Sequence, residues 1–222
     1  MKNQINFVLP RSAWEKVSIN ENHEPLVGLI ETDKLKIGVG FKNYKPSFFV
    51  RKTVAEKLYR ASDLLPDEYR LLFIEGHRSM ESQKYEWDCV FNEIKKKNPL
   101  LLDEEIERQV RLIVAKPSPL ANHYCGGAVD VTLIYENEIV DMGTPYISKA
   151  TMEDRFKFSM FSEEITWNQN RNRQILRDAM ETEDFVWYPG EWWHYCWGDR
   201  MWAVYSNQTQ CHYGPIEQKA DL

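Results

Sequence analysis

Apolar positions in this chain change period as it proceeds, and the changes mark out its elements. The first 30 or so residues carry weak periodicity and read as an irregular arm laid on the rest. KIGVGF, Lys36 to Phe41, alternates as a strand does. RKTVAEKLYRASDLL then places Val54, Leu58, Ala61 and Leu65 at helical spacing, and Pro66 closes the pattern. YRLLFIEG is an apolar run of strand length, and its end delivers Arg78. Ser79, with Ser82 as a second candidate, can cap the helix that follows, whose inner stripe is Met80, Trp87, Val90, Phe91 and Ile94. DEEIERQVRLIVAK predicts a further helix. Its first turn is acidic, one face carries Leu102, Ile106, Val110, Ile113 and Val114, and Pro117 and Pro119 stop it.

From Gly126 the pattern turns strand-like. AVDVTLIY, the turn Glu136-Asn137-Glu138, and EIVDM read as a hairpin. Met152 to Trp167 has no clear period. Asn168 to Glu183 is helical through Ile175, Leu176, Ala179 and Met180, after which FVWYP, WWHYCW and MWAVYSNQ read as strands on their aromatic and β-branched content. Helices early and strands late predict an α+β fold, a central, mainly antiparallel sheet flanked by helices.

Composition narrows the setting. A chain of 222 residues, 43% of them hydrophobic, is long enough to bury roughly 70% of its unfolded surface, so neither disulfide nor metal is needed merely to fold. With no internal repeat and no Gly, Ser or Pro-rich linker, residues 1–222 read as one domain. A formal charge of -6 argues against a nucleic-acid partner, since the one basic run, Lys95 to Lys97, lies among acidic neighbours at a helix end. No apolar run reaches the 18 or so residues of a membrane span, and the N-terminus lacks the apolar region of a signal peptide, so a cytoplasmic location and no membrane partner are expected. Cys89, Cys125, Cys196 and Cys211 show no C-x-x-C spacing and are expected as free thiols.

The candidate chemistry lies in three short segments, EGHRSMESQ, NHYCGGAVDV and PGEWWHYCW. Two histidines and an aspartate, His123, Asp130 and His194, can bind zinc and leave a coordination position for water. Glu191 can take that water's proton, and Arg78 can hold the oxygen that becomes negative. Read singly, each residue has a plainer role: a loop histidine, a turn-capping aspartate, a rim glutamate, a surface arginine. Asp130 stands between Val129 and Val131, however, so alternation puts it on the face opposite two apolar neighbours, where a buried carboxylate needs a cation. Glu191 and His194 are three apart and would point to opposite faces of a regular strand, so sharing a site requires a bulge or irregular entry, which Gly190 permits. His77 reads as structural. A rival arrangement, a closed structural site of His123, Cys125, His194 and Cys196, would leave Asp130 and Glu191 without a role.

In order and broad spacing these segments resemble the zinc D-alanyl-D-alanine dipeptidases, a family related to zinc D,D-carboxypeptidases and the hedgehog signalling domain. The family pattern Gly-Tyr-Arg-Pro, Ser-x-His-x-x-Gly-x-Ala-x-Asp, Asp-Met-Gly-Thr and Glu-Trp-Trp-His appears here as GHRS, ANHYCGGAVD, DMGT at 141 to 144, and EWWH, between about Phe48 and Tyr205. The resemblance implies a hedgehog/D,D-peptidase-like fold and a zinc ion held by His123, Asp130 and His194. It also implies Glu191 as general base and acid, Arg78 as stabiliser of the tetrahedral intermediate, and Asp141 as a partner for the amino group of a small dipeptide substrate. Ala121 stands where the family has Ser, and His77 and Ser79 where it has Tyr and Pro; these departures bear on substrate rather than on mechanism. A D,D- or L,D-carboxypeptidase acting on peptidoglycan peptides and a zinc-bearing binding module without catalysis are the alternatives.

Overall fold

Strand β6 (Ala128–Tyr135) organises the molecule, because its two faces carry different chemistry. In the computed structural model, which describes residues 7–10, 12–38, 46–144 and 154–217, Val129, Val131 and Leu133 enter the main apolar core. Asp130 and Thr132, between them, are buried on the opposite face. Before β6 come α1 (Ser12–Glu15), β1 (Ser18–Ile19), β2 (Leu26–Gly28), β3 (Leu35–Ile37), β4 (Phe49–Arg51), α2 (Lys52–Asp63), β5 (Tyr69–Glu75), α3 (Met80–Lys97) and α4 (Asp103–Val110). A 3-10 turn, Asn122–Cys125, leads into β6. After it come β7 (Glu138–Ile139), a second 3-10 turn (Asp154–Lys157), α5 (Trp167–Thr182), β8 (Val186–Tyr188), β9 (Glu191–Cys196), α6 (Arg200–Tyr205) and β10 (Gln210–Cys211).

The main sheet runs β3-β5-β6-β9-β8, with β7 paired to β6; β3 is parallel to β5 and the other pairings are antiparallel. The expected α+β architecture with a mainly antiparallel sheet is what the chain adopts. One face packs on α2 and α5, where Val54, Leu58, Ala61, Leu176 and Met180 meet Leu71, Phe73, Val131 and Tyr195. Each such apolar side chain contributes about 1.5–3 kcal/mol on burial. A second cluster, Trp87, Val90, Ile106, Val110 and Val114, joins α3 to α4.

Four local expectations are corrected. The N-terminal arm is not wholly irregular: β1 pairs with β10 and β2 with β4, and Arg51, buried, fixes it by donating to the Glu24 carbonyl at 2.6 Å while pairing with Glu21 at 3.2 Å. MWAVYSNQ is a helix over Arg200–Tyr205 rather than a strand, because Asp199 caps it: the Trp202 N–H donates to Asp199 Oδ1 at 2.7 Å, and this outweighs β-propensity. α4 ends at Val110, short of Ile113, and Leu102 precedes it as a 77% exposed N-cap residue rather than part of the inner face. Of KIGVGF, residues 36–37 fall in β3, and 39–41 lie outside the described residues.

Of EIVDM, only Glu138–Ile139 is strand, a shorter partner for β6 than expected; the other patterns hold. Ser79 caps α3 by accepting from the Ser82 N–H at 3.1 Å. The hairpin turn puts Glu136 and Asn137 at positive φ (48° and 70°), as a tight turn between twisted strands requires. α5 opens on a capping box between Thr166 and Gln169.

Candidate metal centre and its cleft

The centre is built where β5, β6 and β9 lie side by side. Asp130 and His194 are register partners across the β6-β9 pair, so the ladder alone brings their side chains together on one face. His194 Nδ1 lies 3.0 Å from Asp130 Oδ1, and His123 Nε2 lies 3.3 Å from the same oxygen. All three residues are buried, and their ligand atoms fall within 4.8 Å of one another.

His123 comes from the 3-10 turn before β6. Gly126 ends that turn at φ 74°, the left-handed conformation that a glycine adopts without strain. His123 Nδ1 stands 2.7 Å from the Gly76 carbonyl oxygen, so the proton sits on Nδ1 and Nε2 presents its lone pair to the centre. Gly76 is required for a separate reason: a Cβ there would meet the Phe49 carbonyl oxygen and come within 2.6 Å of Val50 Cγ1. Burial is the larger influence on His123 and lowers its pKa against the pull of Asp130. On His194 burial acts in the same direction, but the bond to Asp130 and its charge prevail and raise it.

Two nitrogens and a carboxylate oxygen, buried, mutually close and held by a carbonyl behind one ring, fit a divalent ion of zinc type, and three protein donors are the number that catalytic zinc sites use. Cys125 and Cys196 stand outside this group. The Cys125 thiol donates to the Asn122 carbonyl at 2.9 Å, and burial pushes both thiols well up, as befits neutral apolar filler. Cys196 Sγ packs 3.4 Å from His194 Nε2, the ring nitrogen turned away from Asp130, and Asp199 lies behind it with a carboxyl that burial pushes up to about 6.

A cleft of about 300 Å³ opens on the centre and is lined by His123, Asp130, His194, Glu191 and Arg78 together. Glu191 reaches it through the expected irregularity: Trp187 pairs with Tyr195 but Tyr188 with Glu191, so β9 loops out between them and realigns Glu191 with His194. Arg78 follows β5. Its Nε donates to Glu75 Oε1 at 3.1 Å, its Nη2 to Glu75 Oε2, and its Nη1 to Gln83 Oε1 at 2.7 Å. Of the six anticipated residues, five therefore meet at one cleft. Asp141 lies apart from its lining, exposed in the turn after β7, accepting from the Gly143 N–H and from Gln169 Nε2, each at 2.9 Å.

His77 is structural, as its position beside Arg78 suggested: Nε2 donates to the Ile216 carbonyl at 2.7 Å and seats the C-terminal segment. Sequence reasoning missed Glu75 and Gln83, the partners of Arg78. Each had a signal, an acid inside the apolar run of β5 and a polar residue within the Met80-Trp87-Val90 stripe of α3.

A sequence profile described as D-ala-D-ala dipeptidase matches residues 45–215. Two curated relatives are named D-alanyl-D-alanine dipeptidase. The one from Synechocystis is 27% identical over 96% of this chain and 100% of its own length; the one from Enterococcus faecium is 29% identical over 64% of this chain and 69% of its own. Among solved structures, the vancomycin-resistance D,D-pentapeptidase VanY in complex with Zn(II) aligns at TM-score 0.45 and 15% identity over 89% of this chain and 96% of that one. The LD-carboxypeptidase LdcB aligns at 0.46 and 16% over 92% and 91%.

Proposed function

The chain belongs to the D-ala-D-ala dipeptidase family of metallopeptidases, and from that premise we propose that it is a zinc-dependent dipeptidase hydrolysing D-Ala-D-Ala or a close relative. The observation that carries the reading is the convergence of Glu191 and Arg78 with the His123, Asp130 and His194 donors on one cleft. A cleft of about 300 Å³ stands at the small end of ligand pockets and suits a dipeptide better than a long peptide strand.

The roles follow from residue chemistry. His123, Asp130 and His194 would hold the ion. A zinc ion held there would supply Lewis acidity and would lower the pKa of water from about 15.7 towards 7. Glu191 accepts the proton of the attacking water and returns it to the leaving amine. Arg78 donates to the substrate oxygen that becomes negative, an interaction worth most in a site closed to bulk water. Asp141 stands outside the cleft lining with its carboxylate bonded to Gly143 and Gln169, so its assignment to the substrate ammonium rests on the family resemblance of the DMGT segment alone. A non-catalytic module would need neither Glu191 nor Arg78, so the pair supports an enzyme.

No helix among the described residues is long and apolar enough to cross a membrane. A cytoplasmic setting belongs to the same proposal, supported by four free thiols, the state that a reducing compartment maintains. The test is to incubate the zinc-loaded protein with D,D-, L,D- and L,L-dipeptides and a muropeptide and to follow released amino acids. D-Ala-D-Ala should be cleaved fastest. Preferred trimming of the muropeptide would assign a carboxypeptidase, and cleavage of none would contradict the enzyme.

A further inference from the structure

We infer that Glu75 is a positioning residue of this reaction, holding Arg78 at the angle from which it meets the substrate oxygen; the inference rests on the proposed role of Arg78. Glu75 ends β5 and is wholly buried, 0% exposed. A carboxylate so far from water is strongly disfavoured unless a cation pairs with both its oxygens. Arg78 does so, with Nε on Oε1 and Nη2 on Oε2, a fork that fixes the guanidinium plane as well as its place.

The backbone is arranged to produce this contact. Phe73 pairs with Val131 and Glu75 with Asp130, so two steps along β5 match one along β6, a bulge at Ile74. Without it Glu75 would share the face of Phe73, which lies in the main core. With it Glu75 is registered against Asp130, on the face that carries the metal donors. A third point completes the fixation: Gln83 accepts from Arg78 Nη1 at 2.7 Å and donates from Nε2 to the Ala115 carbonyl at 2.7 Å. An arginine left to itself would spread over many rotamers, and a donor to a developing oxyanion works in proportion to how well it is aimed beforehand. Glu75 is not a competing base, since both its oxygens accept from Arg78, and it is not a ligand, since it stands outside the group formed by His123, Asp130 and His194.

The test is a cycle of Glu75→Gln, Arg78→Ala and the double variant in the zinc-loaded full chain, with D-Ala-D-Ala as substrate. Glu75→Gln should lower kcat on the order of a hundredfold, the scale of a misaimed catalytic group, and leave KM and bound zinc unchanged. In the Arg78→Ala background it should add nothing. Normal turnover in Glu75→Gln, or losses that add across the cycle, would overturn the inference. Glu75→Asp keeps the charge but shortens the reach; it should fold and fall between wild type and Glu75→Gln, and it decides the matter by the same cycle if the glutamine variant does not fold. One readout needs no substrate: the Arg78 Nε–H resonance should be sharp and slow to exchange with water in the wild type and exchange-broadened in Glu75→Gln. A resonance equally protected in both would contradict the positioning role. A fixed Arg78 in a protein that cleaves no dipeptide would instead count against the function alone.

Discussion

Asp130 and His194 are register partners on adjacent antiparallel strands, and His194 Nδ1 lies 3.0 Å from Asp130 Oδ1. Opposite residues in such a pair hold their Cβ atoms about 4.5–5.5 Å apart, so sheet register sets the spacing of two of the three proposed donors. A slip of one residue would send both to the core face. Asp130→Asn should therefore keep the fold, because Val129 and Val131 still occupy the core, and lose most of its bound zinc. Metal content after dialysis, compared with the melting temperature, checks this; full zinc occupancy in the variant would exclude Asp130 as a ligand.

Glu191 contributes no donor to the His123, Asp130, His194 group, so its removal separates metal binding from proton transfer. Glu191→Ala should retain zinc and lose about a hundred- to ten-thousandfold in kcat, the usual range for a general base. Turnover near the wild-type level would remove Glu191 from the mechanism.

Arg78→Ala should cost on the order of a hundred- to a thousandfold in kcat, as removal of an oxyanion donor commonly does. Arg78→Lys should recover little of it, because an ammonium cannot satisfy both Glu75 oxygens through a planar fork. Steady-state kinetics of the two variants separate these outcomes; a fully active lysine variant would show that charge alone suffices.

The sheet, the two long helices and the meeting of His123, Asp130 and His194 were legible because each rests on a short-range pattern. Alternation around Asp130 fixed its face, and the i, i+3 spacing of Glu191 and His194 demanded the irregular entry that is found between Trp187 and Tyr188. What the pattern could not supply depends on distant partners. Residues 200–205 have strand-like composition, and they settle as a helix whose Met201 and Tyr205 pack with Leu9 and Trp14 of the distant N-terminal arm. Glu75 reads as an interruption of an apolar strand until the bulge at Ile74 and the fork to Arg78 explain it. The pairing of the N-terminal arm with β10 and β4 joins segments up to almost two hundred residues apart, which local periodicity does not record.

His77 predicts a pH dependence of stability. Burial, its largest influence, lowers its pKa from the ordinary value near 6.5, against the bond to Ile216, and Nδ1 is buried without a partner. The unfolded chain therefore takes up a proton that the folded protein resists. Stability is complete above about pH 6.5 and is lost as pH falls below it, by about 1.4 kcal/mol for each unit of lowering. His77→Gln, which keeps a donor for Ile216, should flatten this part of the profile. Urea midpoints of both proteins between pH 8 and 5 measure it, and parallel curves would show that His77 contributes nothing.

Anomalous diffraction at the zinc edge from crystals of the zinc-loaded protein tests the central claim most directly. The account predicts one strong peak about 2.0–2.2 Å from His123 Nε2, Asp130 Oδ1 and His194 Nδ1, with its remaining position open to the cleft that Glu191 and Arg78 line. A peak enclosed by Cys125 and Cys196 together with the two histidines, or no peak between these three side chains, would contradict it.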